Sequence, residues 1–173
     1  NIRSWRNRIL NVYLMQGLKV TILGKIPVLS GFRVINNQAG RIVLKDGTIL
    51  RLRTAIVEVH KVSEQTPFGA HLLVLVTTGI GIESVPDEVM KAVSDKPLPK
   101  FDYFPTDGWE PIDIERQEPA YEEAEVVIND EKYLVHAEVE VSMCSRNLNY
   151  KDLFNRPLYY VNWVVKPSWR RVG

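Results

Sequence analysis

Apolar residues recur at every second position over most of this chain, and a period of two is the signature of strands that bury one face. Leu18, Val20, Ile22 and Ile26 alternate with Lys19, Thr21 and Lys25, which predicts a strand over 18–26 that stops at Pro27. Phe32–Ile35 predicts a short strand, and Asn36–Gly40 a turn into the next element. From Arg41 to Ile82 the chain is dense in aliphatic and β-branched side chains, and this stretch is expected to form the central sheet.

Within it, Asp46-Gly47 lies between two β-rich runs, and this pair tolerates the positive φ angles of a two-residue type I′ turn. Such a turn would pair Leu44 with Ile49, Val43 with Leu50 and Ile42 with Arg51. One face of the ribbon would carry Ile42, Leu44 and Ile49 with Arg51 and Arg53. The other would carry Val43, Leu50 and Leu52 with Arg41 and Lys45. Apolar residues on both faces predict a ribbon covered twice, by its own chain or by a partner. The alternation changes phase near Thr54–Ile56, predicting a bulge, after which Val57 and Val59 share one face and Glu58 and His60 the other. Gln65–Gly69 is a predicted loop. Leu72–Val76 is unbroken aliphatic, predicting a strand buried on both faces and far short of the roughly 20 residues that span a bilayer.

The pattern changes after Ile82. Ser84, Pro86, Asp87 and Glu88, followed by Val85, Val89 and Val93 at intervals of four, predict one helix over about 84–95. Pro97–Pro119 gathers five prolines with Phe101, Tyr103, Phe104 and Trp109; it predicts an ordered, acidic strap across a surface rather than an interior element. A second hairpin with its loop at Asp130-Glu131 would pair Ile128 with Tyr133, Val126 with Val135 and Ala124 with Ala137. Its apolar face continues through Val139 and Val141. Its other face gathers Glu123, Glu125, His136, Glu138 and Glu140. Asn147–Asn155 is polar, with room for one helical turn; Leu158–Val165 is the last predicted strand, and Pro167, Trp169, Arg170 and Arg171 form a tail. At the other terminus, Trp5, Ile9, Val12 and Tyr13 recur near helical spacing behind Ser4, which makes residues 1–17 a candidate helix or arm.

Charge adds an asymmetry that the net value of +1 conceals. Residues 1–80 hold 11 Lys and Arg against 3 Asp and Glu, and residues 81–173 hold 11 against 18. Folding either interleaves these halves and cancels the field, or leaves opposed faces that recognise each other between copies. The single cysteine, Cys144, excludes an internal disulfide. It predicts a reducing intracellular compartment or a virion rather than a disulfide-rich secreted setting.

Candidate chemistry is sparse. His136, Glu138 and Glu140 share one side of a strand with Glu125 expected across from His136, and Glu58 and His60 would extend the set if the strands were neighbours; these donor types suit zinc, iron or manganese. Cys144 has no histidine beside it in sequence and is expected to be a buried structural thiol. Gly79-x-Gly81 lacks the third glycine and the lysine of a phosphate loop, so tight turning is expected there. Arg33, Arg41, Lys45, Arg51 and Arg53 cluster around the first hairpin, with Phe32 and Trp5 as stacking groups, as in oligonucleotide-binding barrels. A pI near 8.0 and the acidic strap count against that use.

The expected fold is mainly β: a single-domain antiparallel barrel or two-layer sandwich over 18–173, with one short helix. The expected function is that of a non-enzymatic subunit of a larger assembly, such as a virion or another multi-copy complex, meeting copies of itself or other subunits. Trp5, Phe101, Tyr103, Phe104, Trp109, Trp169 and Arg170 are the candidate interface anchors, because tryptophan, tyrosine and arginine dominate interface energetics. Single-stranded nucleic-acid binding is the alternative and a metal-dependent enzyme the third class. No cofactor and no transmembrane segment are expected.

Overall fold

The computed structural model describes residues 29–173; the predicted arm, the 18–26 strand and Trp5 lie outside the described residues. Nine antiparallel strands and one short helix follow in order: β1 (Leu29–Gln38), β2 (Gly40–Leu44), β3 (Ile49–Thr66), β4 (Gly69–Ser84), α1 (Asp87–Ala92), β5 (Trp109–Ile112), β6 (Ile114–Glu118), β7 (Ala120–Ile128), β8 (Glu131–Lys151) and β9 (Pro157–Arg171). The smaller sheet runs β4-β3-β2-β6. The larger runs β1-β7-β8-β5, with β9 also paired to β8. The fold is mainly β with one short helix, as the alternation predicts.

The first hairpin differs from its predicted register by one residue. Ile42 pairs with Leu50 and Val43 with Ile49, because the loop has three residues, Lys45–Gly47, rather than two. The Leu44 N–H donates to the Thr48 carbonyl at 2.9 Å, the Gly47 N–H donates to the Leu44 carbonyl at 2.9 Å, and Gly47 takes a φ of +85°. That is the three-residue solution, a tight turn followed by a left-handed glycine. A slip of one residue exchanges the faces of one strand relative to its neighbour. Ile42, Leu44, Leu50 and Leu52 therefore share one fully buried face, and the exposed Arg51 and Arg53 share the other with Arg41 and Val43. The outer face also holds the half-buried Val43 and Ile49, but Arg51 and Arg53 on it are exposed, so the expectation of a ribbon covered on both sides fails.

The inward side chains form two clusters. One holds Ile42, Leu44, Leu50 and Leu52 with Ala120, Val139, Val141 and Cys144; the other holds Ile56, Val59 and Leu72 with Ala124, Val126, Ile128, Tyr133, Val135 and Ala137. Between them lies a polar belt. Thr54 falls between Leu52 and Ile56, and the buried Glu122 between Ala120 and Ala124. The bulge predicted near Thr54–Ile56 lies just beyond, at Val57, which is pushed outward while the Glu122 carboxylate accepts the Ile56 N–H at 2.9 Å.

The two sheets are joined by one folded ribbon. β1 pairs with β7 in the larger sheet and β2 with β6 in the smaller, and the same register runs through the corner, with Gln38 opposite Tyr121 and Arg41 opposite Glu118. A Cβ at Gly40 would stand 2.7 Å from the Ala120 nitrogen and 2.9 Å from the Glu118 oxygen, so only glycine lets the ribbon bend there. Along one edge of β8, β7 pairs as far as Val139 and β5 begins at Cys144. The Gln117 side chain fills the gap. Its amide donates to the Val141 carbonyl at 2.9 Å and its oxygen accepts the Val141 N–H at 3.0 Å, the two bonds a neighbouring strand would make.

Several boundaries also differ. The helix is shorter than 84–95, because Ser84 completes β4 and Pro86 starts the turn. The stretch 97–119 forms no interior element, and its second half supplies β5 and β6, each a short strand at a sheet edge, where β5 accommodates Pro111. The second hairpin turns at Asn129-Asp130, both with positive φ, so Ile128 meets Glu131 and Ala124 meets Val135. That slip of two residues keeps every side chain on its predicted face. β8 extends to Lys151, into the polar stretch 147–155 where one helical turn was allowed for, and β9 absorbs the expected tail. Leu72–Val76 is buried at Leu72 and half-buried beyond it, because β4 is a sheet edge. Gly79 and Gly81 make no turn and sit within β4.

Replacing Gln117 with leucine should destabilise the protein by on the order of 2 kcal/mol, because it strands the Val141 N–H and carbonyl without partners. Urea denaturation measures this; a change under about 0.5 kcal/mol, the usual scale for an inconsequential surface site, would show that solvent replaces the amide.

Candidate functional site

The strap and the far end of the β8–β9 hairpin meet at one end of the molecule. The Lys151 N–H donates to the Pro97 carbonyl at 3.1 Å, its ammonium donates to the Ser94 carbonyl at 2.9 Å, and the Asn147 amide donates to the Asp107 carbonyl at 2.9 Å. Phe104 stacks on Trp109 with ring centroids 5.5 Å apart, and both meet Tyr160 edge-on. The Trp109 indole donates to the Pro105 carbonyl at 2.7 Å. Beside these rings a groove of about 420 Å³ runs past Pro111, Asp113, Met143, Tyr160 and Asn162, where the bulge of β8 at Ser142 opens the sheet.

This end leaves large apolar side chains in solvent. Phe101 is wholly exposed, Leu153 is 82 % exposed and Phe154 is 68 % exposed, with Leu98, Tyr103 and Phe104 also exposed. Of the candidate anchors, Phe101, Tyr103 and Phe104 thus form one surface with the half-buried Trp109. Trp169 is elsewhere and turned inward: its indole donates to the Ala70 carbonyl at 2.9 Å and its ring meets His71 edge-on, pinning β9 to β4. Arg170 is exposed on β9 beside Leu134 of β8, apart from the strap. Leu153 and Phe154 were missed, because a turn sequence offers no periodicity; their size beside the polar Asp152 and Asn155 was the only signal.

Close to these rings, Asp46 anchors the β2–β3 loop to the larger sheet through Arg146 and Tyr159, the neighbours of Asn147 and Tyr160. Its side chain is 7 % exposed and accepts from the Thr48 N–H at 2.9 Å, the Tyr159 hydroxyl at 3.0 Å and the Arg146 guanidinium at 3.1 Å. Burial, reinforced by the Asp46 charge, pushes the Cys144 thiol up to about 12. Such a thiol is protonated at neutral pH and is a poor nucleophile. Burial likewise raises Tyr159.

The other predicted sites separate. His136 contacts Glu123, directly across from it, at 3.0 Å and lies 3.8 Å from Glu138, while Glu140 pairs with Lys166. Glu125 instead meets Arg33 and Lys132. Glu58 and His60 pair with each other on β3, in the other sheet. Among the described residues no group of three or more His, Cys, Asp or Glu is placed to hold a metal ion. Of the basic set, Arg33 belongs to the larger sheet and Lys45 pairs with Asp113, so only Arg41, Arg51 and Arg53 stand together. Phe32 pairs across from the buried Val126 in the larger sheet and offers them no stacking platform. The pairs Arg33–Glu125, Lys45–Asp113 and Lys61–Glu131 join the basic first half of the chain to the acidic second half, so the two charge blocks largely interleave.

No family model, curated protein or solved structure matches this chain. No helix among the described residues is long and apolar enough to cross a membrane.

Two outcomes follow from the buried and paired groups. Cys144 in the native protein should resist iodoacetamide at pH 8 and react only after denaturation; rapid native labelling would disprove its burial. Hydrogen bonds from Lys61 and the Tyr133 hydroxyl, aided by the Arg171 charge, hold Glu131 down at about 2, below its ordinary 4.5. A depressed carboxylate contributes stability above its unfolded value and loses it as pH falls through the folded one. Stability should therefore fall between about 4.5 and about 2. Glu131→Gln should flatten that part of the pH profile, and an unchanged profile would place the acid sensitivity elsewhere.

Proposed function

We propose that this chain is a non-enzymatic interaction protein, a subunit of a larger assembly built from copies of itself, and that the strap end is its contact surface. The observation that carries the proposal is the set of large apolar side chains left in solvent at that end, with Phe101 and Leu153 nearly bare. A protein that works alone rarely leaves such a set uncovered, and exposed apolar patches of this kind mark partner sites. The aromatic stack of Phe104, Trp109 and Tyr160, itself partly exposed, adds the large rings that anchor interfaces. A virion shell is one setting for such a subunit. The first hairpin, whose outer face carries Arg41, Arg51 and Arg53, is not part of this surface.

Light scattering of the full chain should give a mass of at least twice that of one chain at high concentration. Phe101→Ser with Phe154→Ser should return it to the mass of one chain with little change in melting temperature, since Phe101 is wholly exposed and Phe154, mostly exposed, stacks with the surface side chain of Arg156 at 4.8 Å. A wild-type mass of one chain at every concentration would overturn the proposal.

A further inference from the structure

The outer face of the smaller sheet carries an arrangement that neither the core nor the strap explains. Arg41 and Arg51 stand directly opposite each other across β2 and β3, and Arg53 follows on the same face. Like charges facing each other across a ladder are unfavourable, so nothing in the fold itself rewards this pairing. Arg41 reaches Glu83 at 3.5 Å and lies across from Glu118. Arg51 and Arg53 are exposed and, among the described residues, have no carboxylate within ion-pair distance.

Beside them on β4 the sheet has no side chains at all. Gly81 pairs with Arg51 and Gly79 with Arg53. Neither glycine has a positive φ, and a Cβ at either would meet nothing within 4 Å. They serve no turn and no packing, yet glycine weakens a strand interior. What their absence of side chains does provide is clear passage to the two arginines from the outer edge of β4, which pairs with no other strand among the described residues. Its own sequence offers little defence. From Leu72 to Ile82 it carries no lysine, arginine or proline, whereas β9 carries Lys166, Pro167, Arg170 and Arg171. Free edges without such residues are templates for strand addition.

We infer that an extended acidic polypeptide from another protein adds as a strand along the β4 edge, its outward carboxylates meeting Arg51 and Arg53 across Gly81 and Gly79. Two inter-strand spacings, about 10 Å, separate the added strand from β3. Extended arginine and glutamate side chains meet over that gap when no side chain stands between. Leu73 and Leu75, half-buried on the same face, suit apolar residues of the incoming segment. A second copy joined β4 to β4 would set both arginine pairs on one face of the combined sheet, like charges together. A nucleic-acid strand would find no aromatic side chain among the register neighbours of these arginines. This surface is separate from the strap end and does not depend on it.

Fluorescence anisotropy of the full chain with a labelled peptide alternating glutamate and valine should show binding that weakens as salt rises. The same peptide with glutamine for glutamate should bind at least about tenfold more weakly, as should Arg51→Glu with Arg53→Glu titrated against the acidic peptide. Gly79→Thr with Gly81→Thr is the decisive variant: it should keep or raise the melting temperature and still lose the peptide by a similar factor. Equal binding of the glutamine peptide, undiminished binding by the arginine variant, or a melting temperature that collapses in the threonine variant would each overturn the inference. So would tighter binding to oligo-dT than to the peptide, which would assign the face to phosphate.

Discussion

The carboxylate of Asp46 governs more of this structure than any other single group. It is nearly buried and holds the Thr48 N–H, the Tyr159 hydroxyl and the Arg146 guanidinium at once. The first of these bonds shapes the three-residue loop of the hairpin, and the other two fasten that loop to β8 and β9. Removing one member of a buried, hydrogen-bonded ion pair costs about 3–5 kcal/mol, so the loop is strongly specified. Loop length in turn sets the register, and register decides which face of β2 and β3 is core. Had the loop been one residue shorter, Arg51 would have faced the same way as Ile42 and Leu44.

From that register the rest follows as geometry. The four aliphatic residues of the hairpin close one cluster with Val139 and Val141, and the arginines are driven outward together. The sheets could not share this core without a corner between them, and Gly40 supplies it by permitting the backbone of β2 to touch that of β6 and β7. Where the crossing strands leave β8 unpaired, the Gln117 amide substitutes for a peptide group. A sandwich whose strands switch sheets must satisfy its backbone at each switch, and here a side chain does so.

Surface chemistry divides between two ends and faces. Ion pairs offset charge across the larger sheet: Arg33 of the basic half meets Glu125 of the acidic half, and Lys166 meets Glu140 within the acidic half. Two surface features stand outside that pairing: the bare apolar side chains at the strap end, and the arginines beside the glycines of β4. Each is a place where the fold tolerates a local cost. Exposed phenyl rings and strand glycines gain nothing in the isolated molecule.

The alternation of side chains determined the mainly β fold and the buried face of the second hairpin from Ala124 to Val141, and Pro86, the first-turn acids and the valines at intervals of four announced the helix after β4. These are local properties: a period of two assigns faces whatever the partners are, and the two-residue slip at Asn129-Asp130 left them intact. Trp169 and Arg33 were assigned to surfaces by type alone, and only the packed structure turned the first inward and set the second against Glu125. The register of the first hairpin, the corner at Gly40 and the pairing of Gly79 and Gly81 with Arg53 and Arg51 were likewise decided by tertiary structure. Each depends on contacts between residues distant in the chain, above all Asp46 with Arg146 and Tyr159, and no short-range pattern carries the energy of a contact that forms only when both sheets are in place.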